Sequence, residues 1–457
     1  MLLLLVLASP VRAAIRFDMF VGYDGIVPQG SWFPLSFEVF NDGGPFIATI
    51  EVTPGQYNQS QTRSMVVELP TGTTKRFIIP VHTSATYNPT WNARLLNEKG
   101  RVMTEPQNQR PRKLNPANLP LAASISRSLP PLPEFKNRNN EQVPIIARLH
   151  PLLFPDNPIA LDGLDTIYLA SERALDLKQP QVNALLAWLY GGGHLIVSIE
   201  QLNHLTGPGE WLRQALPADL TAMNQVPPRS DLQDWLASKQ RFDGRDYTFT
   251  GTTRTGRTVT TGTYQNPYEK LSTDNKFNEA PLQLATGTLR DGRVLVGPSA
   301  TPTVITARRG RGQITLLTFA PELEPFKSWK NAGHFWAKMT DVPPEFLIEN
   351  SANNNNYNPY SGGRSLDGIF GAMIDSDQIR KLPVGWLLLL LLGYLAVIGP
   401  LDWQWKNGVA IVVRGGYGYQ INPIYKWSPS IPIDNNKKSQ IEALQGLDLE
   451  LSIGYSF

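Results

Sequence analysis

The chain has 457 residues, room for two or three domains, and carries 42 Lys plus Arg against 39 Asp plus Glu. A charge so nearly balanced gives no sign of a polyanionic partner, and nucleic acid is not expected. There is no cysteine, which excludes disulfides, thiolate metal sites and a cysteine nucleophile together.

The chain opens on MLLLLVLASPVRAA. The apolar run over residues 2–8 leads to Val11-Arg12-Ala13, a signal-peptidase-like site. Residues 1–14 are therefore expected to be an export signal; the alternative is a buried first strand. Residues 15–105 read as all-β. Ile15, Phe17, Met19, Val21 and Tyr23 are apolar at every second position, and so are Leu35, Phe37 and Val39 before the turn at Asn41-Asp42-Gly43-Gly44. Short strands separated by Pro and Gly predict an immunoglobulin-like β-sandwich. Residues 106–155 are rich in Pro, Asn and Arg, as in PQNQRPRKLNPANLP, and read as a linker, because proline denies a strand its ladder donors.

Residues 156–345 read as an α/β domain. LDTIYLA is a short buried strand. Pro180 suits a first helical turn, and Val182, Leu185, Leu186 and Leu189 fall on one helical face. HLIVSIE is a second buried strand, and strand–helix–strand in this order predicts a parallel pair. Gly191, Gly192 and Gly193 sit between helix and strand. There a left-handed helix end and a tight return need glycine, whereas a phosphate loop needs its glycines before a helix. Residues 240–290 look like a β insertion. TPTVITARRGRGQITLLTF predicts a hairpin, and EPFKSWKNAGHFWAKM an amphipathic helix with Phe326, Trp329, Trp336 and Met339 on one side. Residues 346–381 read as a flexible tether.

Residues 382–401 carry no charge and include six consecutive leucines, with Trp386 and Trp403 near the ends, where indoles favour a membrane interface. A single transmembrane helix is expected over 382–403. The tail, residues 404–457, ends in LDLELSIGYSF, whose alternation is similar to the closing strand of an outer-membrane barrel; an ordinary β-hairpin tail and a fused coding segment are the alternatives.

LDGLDTIYLASE, QVNALLAWLYGGGHLIV and GRGQITLLTFAPELEPF resemble the class I glutamine-amidotransferase-like domains of uncharacterised bacterial single-pass envelope proteins. In those an exported β-sandwich precedes the domain and a transmembrane helix ending in a GPLD-like motif comes after it, here Gly399-Pro400-Leu401-Asp402. The resemblance covers about residues 15–405. It implies a flavodoxin-like α/β domain in a chain anchored in the inner membrane, its bulk periplasmic or extracellular. Active members of that fold use a cysteine nucleophile and a His-Pro-Glu segment after a late strand. This chain has no cysteine and reads Ala320, Pro321, Glu322 at that point. The resemblance therefore implies a degenerate, non-catalytic relative, with no cofactor and no metal.

The remaining candidates are weaker. His194 either faces a cleft or is a hydrogen-bonded strand end. Glu200 lies near His204 in sequence, without a spacing that fixes a metal geometry. Arg308, Arg309 and Arg311 either contact an anionic partner or form a solvated turn. The expectation is a non-catalytic envelope protein that binds membrane lipid and protein or glycan partners. The alternatives are a hydrolase or amidotransferase with an atypical site and an outer-membrane component.

Overall fold

Alternation in the first hundred residues sorts side chains into a dry and a wet face. In the computed structural model that pattern builds two facing sheets. Residues 15–347 are described, apart from 56–61, 83–88, 117–118, 136–142, 228–229, 247–249, 256–257 and 264–265, together with Leu392, Tyr394 and residues 409–418 and 446–455. The chain divides into two units, Met1–Gly371 and Ala372–Phe457.

The sandwich uses β1 (Ile15–Val21), β2 (Ile26–Pro28), β3 (Trp32–Asn41), β4 (Phe46–Gly55), β5 (Arg63–Leu69), β6 (Thr73–His82), β7 (Thr90–Asn97), β8 (Gln107–Gln109) and β9 (Lys113–Asn115). One sheet has the order β1-β3-β6 and the other β5-β4-β7-β8. Phe17 stacks on Phe37 with ring centroids 5.6 Å apart, and Phe33 meets Trp91 edge-on at 5.1 Å, so aromatic rings fill the space between the sheets.

The segment expected to be a linker, 106–155, is not one. It contributes β8 to the sandwich and β9, which pairs in parallel with β2. It then supplies β10 (Ala122–Ile125) and β11 (Ile146–Arg148) to the next sheet. These strands are three or four residues long and flanked by proline, too short to show a period of two. The two parts also share a core. The Tyr23 hydroxyl donates to Ala160 O at 2.8 Å and the Gly163 amide to Trp32 O at 3.1 Å.

The α/β part continues with β12 (Thr166–Ala170), α1 (Ser171–Ala174), α2 (Gln179–Gly191), β13 (His194–Ser198), α3 (Glu210–Ala215), β14 (Ala218–Val226), α4 (Asp231–Ala237), β15 (Thr250–Thr255), β16 (Thr258–Thr263), α5 (Asn275–Glu279), β17 (Leu282–Leu289), β18 (Arg293–Val296), β19 (Val304–Arg309), β20 (Gly312–Leu317) and α6 (Ala332–Met339). The sheet order is β11-β10-β12-β13-β20-β19-β18. The first five strands are parallel, and β19 runs antiparallel to both its neighbours, β20 and β18. All of β12 and β13 is buried, because both faces are covered. Ile167, Leu169, Leu195 and Val197 pack with Val182, Leu185 and Leu189 of α2. Tyr168 and Ile196 face the other way, toward Phe335, Trp336 and Met339 of α6.

The glycine triplet closes α2. Gly192 has φ +135°, and a Cβ on Gly193 would lie 2.3 Å from the Trp188 ring. The expected helix over EPFKSWKNAGHFWAKM is shorter: a 3₁₀ turn at Phe326–Ser328 precedes α6, because Trp329 is extended (ψ 121°) and Asn331 is not helical. Phe326, Trp329, Trp336 and Met339 are nevertheless buried in one cluster. The residues between β13 and β18 carry the antiparallel pair β14–β17 and the hairpin β15–β16.

The expected transmembrane helix is corrected. Among the described residues no helix is long and apolar enough to cross a membrane. Of 382–403 only Leu392 and Tyr394 are described, both helical and exposed; the rest, with Trp386 and Trp403, lies outside the described residues, as do residues 1–14 and the tether from 348 on. An uncharged run long enough to span a bilayer is permissive, and it does not by itself set the length of a helix. In the second unit β21 (Val409–Gly418) and β22 (Gly446–Tyr455) form an antiparallel ribbon, Val409 opposite Tyr455. A barrel needs about eight strands; the described residues of this unit contain two.

Candidate functional site

In the parallel part of the sheet the carboxyl ends of β10, β12, β13 and β20 open on one edge. The order β11-β10-β12 reverses direction between β10 and β12. At such a reversal the loops diverge and leave a crevice, the usual ligand position of open α/β sheets. The strands run out into polar segments at this edge: Ser126 and Arg127 after β10, Ser171 and Glu172 after β12, Glu200 after β13, and Ala320, Pro321 and Glu322 after β20.

Arg127 organises these residues. Its guanidinium pairs with Glu172 and lies 3.7 Å from Glu200. Glu172 also sits 3.6 Å from Arg173, which bonds Asp176 at 3.2 Å. The Glu322 carboxyl accepts the backbone amides of Arg127 and Ser128. Its pKa is raised by burial and, less strongly, by Glu200, while Arg127 and those amides oppose the rise. One oxygen each of Glu172 and Glu322 is buried without a hydrogen-bond partner. Beneath them the Tyr168 hydroxyl and Ser198 Oγ are 2.8 Å apart, and burial holds the phenol protonated. Beside Glu200 a small crevice of about 30 Å³ runs past Met223, Gln283, Ala320, Leu323 and Glu324.

A serine–histidine pair lies nearby. Ser171 Oγ is 3.0 Å from His204 Nδ1 and accepts the Glu200 amide at 3.2 Å. A hydroxyl beside an imidazole is the start of a nucleophilic site. Ser171 is fully buried, however, and the pair ties the start of α1 to the segment after β13. Sequence reasoning does not single out Ser171; its one signal is its place where a buried strand meets a helix.

The structure separates the other candidates. Glu200, Ala320, Pro321 and Glu322 meet at the carboxyl edge. His194 begins β13 and so lies at the opposite edge. It faces no cleft: it is buried, 2.8 Å from Thr315 Oγ1, and stacked on Phe242. Arg308, Arg309 and Arg311 also belong to that edge, at the turn between β19 and β20. Arg309 is bidentate to Asp291, at 2.7 and 3.1 Å, and donates to Ala215 O; Arg308 and Arg311 are exposed. Gly191, Gly192 and Gly193 end α2 and hold nothing. Among the described residues no group of His, Asp and Glu is placed to hold a metal ion.

Residues 14–110 match the model of a domain of unknown function (DUF8726), a match confined to the sandwich. No curated protein matches the chain. Among solved structures the chain is similar to the cytoplasmic protein STM1381 of Salmonella typhimurium LT2, with 13% identity over 43% of this chain and 81% of that one, TM-score 0.28. It is also similar to native alpha-2-macroglobulin of Escherichia coli (17% identity, 23% of this chain and 17% of that one, TM-score 0.19). A third likeness is to the exo-beta-1,4-mannosidase Op5Man5 of Opitutaceae bacterium strain TAV5 (13%, 48% and 36%, TM-score 0.25). Likenesses at these scores carry no argument about what the chain does.

Proposed function

We propose that the chain is a non-catalytic binding protein whose α/β part offers the crevice at the carboxyl edge of its sheet to a ligand or partner. The observation that carries this reading is the pairing at that edge. The residues there are held by one another, Arg127 by two carboxylates and Glu322 by two amides, and the serine of the one serine–histidine pair at that edge among the described residues is buried. Acyl transfer needs a nucleophile that can reach a carbonyl and a base to activate it. Here Ala320 stands where the resemblance would place the base, and the chain has no cysteine. The signal-like start supports action outside the cytoplasm, with protein or glycan partners in the envelope.

The competing reading, a hydrolase, rests on the 3.0 Å between Ser171 and His204. Release of ammonia from glutamine and hydrolysis of activated esters by the purified chain decide between the two. The binding reading expects no turnover above buffer. Turnover that survives repurification and vanishes in Ser171→Ala would refute it.

A further inference from the structure

A second cavity, sharing no lining residue with the carboxyl-edge crevice, measures about 560 Å³. That falls within the roughly 300–1,000 Å³ that small-molecule sites occupy. One wall is the proline-rich stretch 131–134 and the other the start of α6, where Gly333 lets the two approach: a Cβ there would lie 2.9 Å from Pro133 N. Trp329, Phe346 and Leu347 extend the apolar lining, and Lys327 and Lys330 border it. We propose that this cavity binds an organic carboxylate with an apolar body, the anion against the start of α6, Trp329 and the two lysines, and the body along Leu132, Phe346 and Leu347.

Charge selects a monoanion. Lys327 and Lys330 are exposed, and neither meets a carboxylate among the described residues; the Lys330 ammonium donates to Thr273 O at 2.8 Å, a neutral acceptor. Glu134 is the one acid in the described lining, which leaves one positive charge in excess. Burial lowers the pKa of His334, the remaining titratable group there, and so keeps its ring uncharged at pH 7. Unused donors place the anion. Asn331 stands at the N-cap of α6, yet its side-chain amide is turned away to Gln233 Oε1 at 2.9 Å and Ser272 O at 3.0 Å. The Gly333 and His334 amides are left without an acceptor among the described residues, and a negative group at such a helix start is stabilised by amides and dipole together. The next donor is independent of the helix. Trp329 is 3% exposed and forms part of the wall, and its indole N–H has no acceptor among the described residues. Buried donors in that state are uncommon in folded chains. A phosphate dianion is the poorer match, since Glu134 repels it more strongly and no arginine fork lines the cavity. A neutral apolar ligand leaves the indole and the amides unserved.

The test is calorimetric titration of the whole chain with phenylbutyrate and with an acetylated tripeptide that ends in phenylalanine and a free carboxyl group. Phenylbutanol and the amidated tripeptide are the neutral controls. Saturable binding of a carboxylate is expected, about tenfold tighter than its control. Binding of phenylbutyrate identifies a free acid as sufficient, and binding of the peptide alone a partner's chain end; both support the proposal. With nitrogen-labelled tryptophan, one of the 11 indole N–H signals should move downfield with the same midpoint, and Trp329→Phe should delete that signal. The phenyl ring keeps a stack on Phe277 but no N–H, so the variant should bind about tenfold more weakly. Joint replacement of Lys327→Gln and Lys330→Gln should weaken binding about fivefold, as befits exposed charges. Circular dichroism checks that each variant is folded; should Trp329→Phe not fold, the exposed lysine pair carries the comparison. No saturable binding of either carboxylate at millimolar concentration overturns the proposal. So does binding that the neutral controls match, or binding that moves no indole signal and is unchanged in the folded variants.

Discussion

A buried imidazole makes the α/β sheet sensitive to acid in a way that can be worked out from its surroundings. His194 is 6% exposed, lies against Thr315 and Phe242, and leaves Nδ1 without a hydrogen-bond partner. Burial pulls its pKa from 6.5 to about 3. The unfolded chain takes up a proton below pH 6.5 that the native chain refuses until about pH 3. The histidine's contribution is therefore complete above pH 6.5 and lost as pH falls through that window. Over the whole window the loss is about 5 kcal/mol, at about 1.4 kcal/mol per pH unit. A domain's stability is roughly 5–15 kcal/mol, so this is a large share. Between pH 7 and 5, where most carboxylates remain ionised, the loss is about 2 kcal/mol. Urea unfolding of the wild-type chain and His194→Gln at pH 7, 6 and 5 measures it. Glutamine keeps an amide for Thr315 and does not titrate. It forfeits the ring stack, so the variant starts about 1 kcal/mol behind at pH 7. That gap should close and reverse by pH 5. Two stability curves that stay parallel across this range would show that the imidazole is not held neutral, and the reasoning would fail.

Three further outcomes rest on named contacts. In the glycine triplet, Gly191 has open space around its missing Cβ, so Gly191→Ala should raise stability by about 0.5–1 kcal/mol. Gly193→Ala meets the Trp188 ring and should lower it by about 1–3 kcal/mol, both read from thermal melts. Lys338 of α6 is fully buried, and its Nζ donates to Trp235 O, Leu236 O and Ser238 O at 2.6, 3.0 and 2.9 Å, closing the end of α4. Lys338→Met should cost about 1–3 kcal/mol at pH 9. Burial lowers the lysine pKa from 10.5 to about 7, so the wild-type chain loses stability as pH falls from about 10.5 to 7 and no further below that; the variant's deficit should shrink between pH 9 and pH 7 and stay level from 7 to 6 in the same unfolding assay. Tyr23→Phe removes the bond to Ala160 O between sandwich and α/β part and should cost about 1 kcal/mol, measured by urea unfolding.

What the sequence discloses of the fold depends on element length. Five or more residues give a period: β1, β3, α2, β12 and β13 are all visible as alternation, a helical face or a solid apolar run. Ala122–Ile125 and Ile146–Arg148 give none, and proline on either side argues against strands. Yet they are the first two strands of the parallel sheet, held by partners distant in sequence. Their loss hides more than two strands. Without β10 the order of the sheet cannot be written, and without the order the reversal between β10 and β12 has no address.

The site is hidden by the same omission. Glu200 and Glu322 are legible, one at a strand end and one in the Ala320-Pro321-Glu322 segment. Arg127, which joins Glu200 to Glu172 and whose backbone amide serves Glu322, lies inside a supposed linker. A linker residue carries no expectation of a partner, so two carboxylates 122 positions apart in sequence have nothing to connect them. Once β10 is a central strand, its next residues must emerge beside those of β12, because adjacent parallel strands end together. Arg127 then faces Glu172 by register alone. The side chain that most nearly defines the site is thus fixed by a four-residue strand with no sequence signature of its own.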